Sequence, residues 1–230
     1  QVADDVNTAN LMPLVRELVA LHLADTPVDA SGYEPEHLFP AQHLTRDAAV
    51  AFVSQQFTAM GYQADTVLCG SGPQAAYNLV AEWPGTSNAD EVVLVGAHLD
   101  AFYGGADDNG TAVAALLETA RAVRNHQFAK TIRFVAFDLE EFGCVCSTRY
   151  VRAGHADDVV AAIVMDMIGY ADSSPNSQDD IMGVRLPDPG DYLMVVGNQT
   201  SANMTRDFVA LGNTNNLAKL HGLVAPGDAV

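Results

Sequence analysis

Between residues 95 and 112 the sequence reads VGAHLDAFYGGADDNGTA, which sets His98, Asp100, Asp107 and Asp108 at the end of an apolar run. Two further segments end the same way: FDLEEFG carries Glu140 and Glu141, and MDMIGY carries Asp166. Imidazole nitrogen and carboxylate oxygen are ligands that zinc takes in catalytic sites, which keep one position for water. Two metals about 3.5–4 Å apart need a carboxylate to bridge them, and an aspartate from the 107–108 loop suits that place. Taken singly, each residue has an ordinary explanation. His98 could be a hydrogen-bonded strand end, Asp107-Asp108-Asn109-Gly110 a turn and helix cap, Glu140-Glu141 a solvated pair, and Asp166 a backbone acceptor. Charges at the ends of buried strands are costly unless paired or bound to a cation, so their recurrence at three strand ends points to one shared site.

Bringing three strand ends together requires parallel strands. From residue 91 the pattern alternates between apolar strands and amphipathic helices, which favours a largely parallel sheet with helices on both faces. Strands are predicted over 91–98, 131–139 and 159–169, with helices over 110–126 and 147–154. In open sheets of this kind ligands bind beyond the carboxyl ends of the strands, where the acids fall. Upstream, apolar spacing predicts helices over 11–23 and 45–62, the second stopped by Gly61, with an irregular loop over 24–42 between them. Two strands, 63–69 and 75–82, and a turn over 83–90 complete that half. After an acidic loop over 171–191, one more strand (191–197) and helix (200–212) follow.

At 230 residues, about half of them hydrophobic, the chain can bury one sizeable core and fits a single α/β domain. Twenty-nine acids against eleven bases give a net charge of −18, which argues against nucleic acid, whose phosphates call for a basic footprint. No apolar run approaches the roughly 20 residues that span a bilayer, and QVADDVNTAN lacks the regions of a signal peptide. The chain is therefore expected to be cytosolic or to have lost its signal already. Cys69, Cys144 and Cys146 are an odd number, and the spacing of the last two is too short for a zinc CxxC; packing or a single disulfide with Cys69 is the expectation.

The motifs HLD, GADDNGTA, FDLEEFG and MDMIGY, in this order, resemble the metal-binding motifs of the M28 family of zinc aminopeptidases, and the resemblance runs from about Thr45 to Gly197. It implies an α/β fold, a three-layer αβα sandwich around a mixed, mostly parallel sheet of the zinc-exopeptidase, phosphorylase/hydrolase-like kind. It also implies two Zn2+ per active site. Carried onto this chain, His98 and Asp166 would bind one zinc, Glu141 the other, and Asp107 would bridge them, leaving Asp108 and Asn109 to hold the loop and cap the next helix. Glu140 would be the general base and Asp100 the acid that orients His98. The implied reaction is hydrolysis of the N-terminal peptide bond of a peptide with a free N-terminus, through a zinc-bound hydroxide. The family's habits imply a secreted or periplasmic protein whose signal peptide has been removed.

The family's pattern has a further ligand, a histidine in an Asp-His motif near the C-terminus, and no such motif follows residue 166 here. The expectation is one peptidase domain over 1–230 that lacks its C-terminal end and is one ligand short at the second zinc. His221 is the alternative candidate for that ligand, while His22, His37, His43, His126 and His155 read as surface or packing residues. The competing functional readings are a single-zinc glutaminyl-cyclase-like or carboxypeptidase-like relative, a non-catalytic relative, or an inactive fragment.

Overall fold

A computed structural model of the chain describes residues 2–24, 38–69, 76–102, 104–180, 184–215 and 217–226, with the backbone alone given over 38–46. It divides into two compact units, Gln1–Gly169 and Tyr170–Val230. In the first, helices α1 (Leu11–Leu23) and α2 (Leu38–Ala59) precede strands β1 (Ala64–Leu68), β2 (Tyr77–Trp83) and β3 (Asn88–His98). Helix α3 (Ala112–Val123), strand β4 (Lys130–Phe137), helix α4 (Val145–Arg152) and strand β5 (Val159–Met165) then alternate as the apolar pattern requires. The sheet order is β1-β2-β4-β3-β5, with β1 and β2 antiparallel and β4, β3 and β5 mutually parallel.

Helices cover both faces of this mixed sheet, which gives the expected three-layer arrangement. On one face Leu18 of α1, Val53 and Phe57 of α2, and Leu116 and Leu117 of α3 pack onto Leu79, Ala81, Val95, Ala97, Phe134 and Ala136. On the other, Tyr150 of α4 packs onto Leu94, Val135 and Phe137. The alternation of inward and outward residues along β3 and β4 explains why both faces can be apolar. Burial of each such side chain contributes about 1.5–3 kcal/mol.

Three expectations shift. Helix α2 begins seven residues before Thr45, because Pro40 falls in its first turn, where the missing N–H has no helical partner to lose. The rest of the expected 24–42 loop, from 25 to 37 and including His37, lies outside the described residues. The turn over 83–90 is shorter than expected, since Asn88 N–H already donates to the Ala129 carbonyl and starts β3. Strand β5 stops at Met165 and is the edge of its sheet; Val160 and Val164 are exposed, where a buried strand was expected.

In the second unit β6 (Leu193–Gly197) and β7 (Leu220–Val224) pair in parallel, with helix α5 (Ala202–Thr214) connecting them. The sequence pattern does not predict β7. His221 belongs to it, and its ring stands edge-on to Tyr192 with centroids 5.5 Å apart. Among the described residues no helix is long and apolar enough to cross a membrane.

Candidate metal centre

The register of the parallel strands gathers the acids at one edge. His98 pairs with Phe137 and Ala97 with Met165, so the residues that follow, Asp138 to Glu141 and Asp166, emerge beside His98 at the carboxyl ends of β4 and β5. His98 is buried, 4% exposed. Its Nδ1 faces the Asp100 backbone carbonyl at 3.0 Å and the Asp100 carboxylate at 3.5 Å. In the neutral imidazole this contact places the proton on Nδ1, and it turns Nε2 the other way.

Nε2 lies 3.1 Å from Asp108 Oδ1, 3.5 Å from Asp166 Oδ1 and 3.9 Å from Glu140 Oε2. Despite these approaches it makes no aligned hydrogen bond, and it is one of two such buried side-chain atoms among the described residues. A buried ring nitrogen among carboxylate oxygens calls for positive charge at that spot, either a proton on the imidazole or a bound cation. Atoms about 2.1 Å from one tetrahedral zinc stand about 3.4 Å apart, close to the spacings seen here. His98, Asp108 and Asp166 are also the group whose ligand atoms all lie within 4.8 Å of one another. The residues present therefore fit zinc.

Charge in the site follows from the same crowding. Burial disfavours the His98 imidazolium, but the Asp100 hydrogen bond and the charges of Asp100, Glu140 and Asp166 outweigh it, and the pKa is pushed up to about 9. Burial raises the Asp108 carboxyl; His98 opposes that rise and Asp166 adds to it. Burial likewise raises Glu141, against the hydrogen bond from Phe102 N–H and with the charges of Asp108 and Asp100.

Of the two adjacent acids, the structure turns Asp108 toward His98 where the motif placed Asp107. Asp107 Oδ1 accepts the Gly169 N–H at 2.7 Å and the Thr111 hydroxyl at 2.8 Å, which anchors that carboxylate to the chain beyond β5. At Asp108 the backbone leaves helical geometry (φ −99°, ψ 90°), and its side chain is released to the strand end. Gly169 is required by this contact, since a Cβ there would overlap the Thr111 methyl and crowd Asp107 Oδ1 at 2.9 Å. Asn109 does not cap α3. Its amide donates to the Met165 carbonyl and accepts from Met167 N–H, both at 3.2 Å, so it brackets Asp166 from both sides. Helix α3 has no side-chain cap at Thr111.

The remaining candidates sit around this group. Asp100, 2% exposed, accepts the N–H groups of Glu140 (3.1 Å) and Glu141 (3.2 Å), which ties the end of β3 to the end of β4. Glu141 Oε1 is held by Phe102 N–H at 3.2 Å. Cys144 is a free, exposed thiol that donates to Glu140 Oε1 at 3.3 Å; Cys146 forms a disulfide with Cys69. Sequence reasoning did not single out Thr111, whose hydroxyl holds Asp107, or Gly169 and Phe102, which act through backbone N–H groups that no spacing rule reports. His22 of α1 is buried within reach of the Asp100 charge; burial pushes its pKa down and Asp100 opposes this.

Known proteins bear on this arrangement. The chain is 35% identical over 136 residues to leupeptin-inactivating enzyme 1 of Streptomyces exfoliatus, a match that covers 56% of this chain and 30% of that protein. It is 39% identical over 105 residues to an aminopeptidase of Pseudomonas aeruginosa, covering 44% of this chain and 19% of the relative. Its fold matches that of the LapA aminopeptidase of Legionella pneumophila at a TM-score of 0.71 and 18% identity, over 96% of this chain and 56% of that one. This chain thus spans less than two thirds of each protein. The model of Peptidase family M28 matches residues 78–221, more than half of the sequence and every residue of the group around His98, and the chain belongs to that family.

Proposed function

We propose that the chain is the metal-binding part of a zinc aminopeptidase that removes N-terminal residues from peptides. The observation that carries this reading is the buried, unbonded His98 Nε2 facing Asp108, Asp166 and Glu140, in a chain of family M28. His98, Asp108 and Asp166 would hold one zinc. Glu141, which the Asp108 charge reaches, would join Asp108 at a second. The aminopeptidase relative from Pseudomonas supports the choice of reaction.

Zinc, when bound, supplies a Lewis acid that makes water a nucleophile near neutral pH and polarises the scissile carbonyl. Glu140 takes the proton from the attacking water and returns it to the leaving amine. Its backbone is held for this by Asp100, whose carboxylate accepts the Glu140 N–H while its charge orients His98. The carboxylates at the mouth of the site complement the positive α-amino group of a peptide with a free N-terminus. The Cys69–Cys146 disulfide supports residence in an oxidising compartment outside the cytosol.

The test is release of p-nitroaniline from leucine p-nitroanilide by the purified chain loaded with zinc. Activity on this substrate, none on its N-acetylated form, and loss on chelation are expected. Equal rates on the free and acetylated forms, or a rate that chelation leaves untouched, would sink the aminopeptidase reading.

A further inference from the structure

The segment that carries Glu140 and Glu141 runs from Asp138, just past β4, to Cys146 in the first turn of α4. One side chain reaches both of its ends. Asn78 of β2 is fully buried. Its Oδ1 accepts the Asp138 N–H at 3.1 Å, and its Nδ2 donates to the Cys146 carbonyl at 3.1 Å. A buried asparagine in a strand costs free energy unless both ends of its amide are satisfied, and here both go to the one loop.

Cys146 is fixed a second time. Its sulfur is bonded to Cys69, at the end of β1, and the pair packs with Ala76, Leu139, Phe142 and Val145 in a small core of its own. Residues 139, 142 and 145 belong to the loop, so its apolar side chains are pinned to the same patch that Asn78 clamps. On the side toward the metal group, the N–H groups of Glu140 and Glu141 both donate to the Asp100 carboxylate. The loop is thus gripped at its ends by Asn78 and the disulfide, and at its middle by Asp100.

We propose that Asn78 is a positioning residue for the hydrolysis proposed above: by clamping Asp138 and Cys146, with the Cys69–Cys146 disulfide as a second anchor, it sets where Glu140 and Glu141 stand relative to His98. It touches neither substrate nor metal and acts through the loop backbone. The proposal rests on the aminopeptidase reading for its kinetic consequences and is independent of it for its structural ones.

The experiment compares the full chain with Asn78→Ser, which removes the two-ended reach, and with a Cys69→Ala/Cys146→Ala variant, which removes the second anchor without freeing thiols. Amide hydrogen exchange followed by mass spectrometry should show faster exchange confined to 139–145 in both, with α3 as protected as in the parent. Bound zinc and kcat should each fall by about 10- to 100-fold in zinc affinity and turnover, the range typical when a supporting contact behind a metal site is lost, while KM changes less than kcat. Asn78→Gln, which keeps both amide groups, should recover part of the turnover. If Asn78→Ser fails to fold, Asn78→Gln, which moves both amide groups by one methylene, carries the test, with faster exchange over 139–145 expected and unchanged exchange there overturning the proposal. Unchanged exchange over 139–145 in a folded variant, or exchange raised equally throughout the chain, would overturn the proposal. A parent chain with no peptidase activity but a loosened 139–145 in the variants would instead overturn the aminopeptidase reading and leave the clamp standing.

Discussion

Two buried ionisable groups of the first unit, Glu118 and His98, are treated in opposite ways. Glu118 on α3 is 3% exposed and wholly partnered. It accepts from Asn7 N–H at 2.5 Å, from Asn10 Nδ2 at 2.9 Å and from Arg121 at 2.6 and 2.8 Å, and Arg121 also reaches the Asp5 carbonyl. His98 is as deeply buried, yet its Nε2 faces three carboxylates and bonds to none. The first cluster is a clasp that fastens the N-terminal turns to α3, and its charges are balanced within the chain. The second gathers more carboxylates than its one imidazole can balance and suits a cation. The difference separates a charge kept for stability from one kept for function.

The contrast breaks most sharply at Glu140. A Glu140→Gln variant should lose about 10²- to 10⁴-fold in kcat while retaining zinc, the range for loss of a general base, and Glu118→Gln should leave kcat within about twofold. Steady-state kinetics on leucine p-nitroanilide, with zinc content measured on the same samples, checks both. Next in size is the pair of adjacent acids. Asp108→Asn should cost about 10- to 100-fold in zinc affinity by chelator competition, whereas Asp107→Asn should cost less, because Asp107 acts through Gly169 and Thr111.

Stability gives the reverse pattern. Glu118→Ala strands the Asn7 N–H and leaves Arg121 without its carboxylate, a loss of about 1–3 kcal/mol that should lower Tm by several degrees at unchanged zinc affinity. Saturating zinc at about 100 times Kd should raise the parent's stability by about 2.7 kcal/mol and do far less for Asp108→Asn, as thermal unfolding would show.

The smallest effect is in pH. Burial raises the Glu118 carboxyl, but the bonds from Arg121, Asn10 and Asn7 outweigh it and hold the pKa below the ordinary 4.5. A depressed acid pKa means that the clasp's contribution is present above about 4.5 and fades as pH falls through the lowered value. The stability gap between parent and Glu118→Ala should therefore narrow below pH 4.5; a gap that widened there would contradict the assignment.

How far these features could be read in advance depended on the kind of signal. The parallel core was readable because β3 and β4 each carry an apolar run toward their carboxyl ends and α3 keeps a helical stripe. The strand ends followed, and with them the placement of His98, Glu140, Glu141 and Asp166 at one edge of the sheet. Spacing could not decide between Asp107 and Asp108. Neighbouring side chains point apart, and which of the two faces His98 follows from the backbone turn at 108 and from the Gly169 N–H bond to Asp107, sixty-two residues away. Strand β7 was missed because LHGLV is short and interrupted by Gly222, so its partner β6 defines it more than its own pattern. The exposed face of β5 was missed because an apolar run reads as buried whether or not its strand lies at a sheet edge. Asn78 carries no signature at all: a lone asparagine in a strand shows its purpose only when the loop it holds is in place.

The most direct measurement is diffraction from crystals of the zinc-loaded chain, recorded at the zinc absorption edge. The expected result is an anomalous peak about 2.0–2.2 Å from His98 Nε2, within coordination distance of Asp108 and Asp166, with Asp107 still bonded to Gly169. A peak held by Asp107 in place of Asp108, or no zinc at His98 in saturated crystals, would contradict the account.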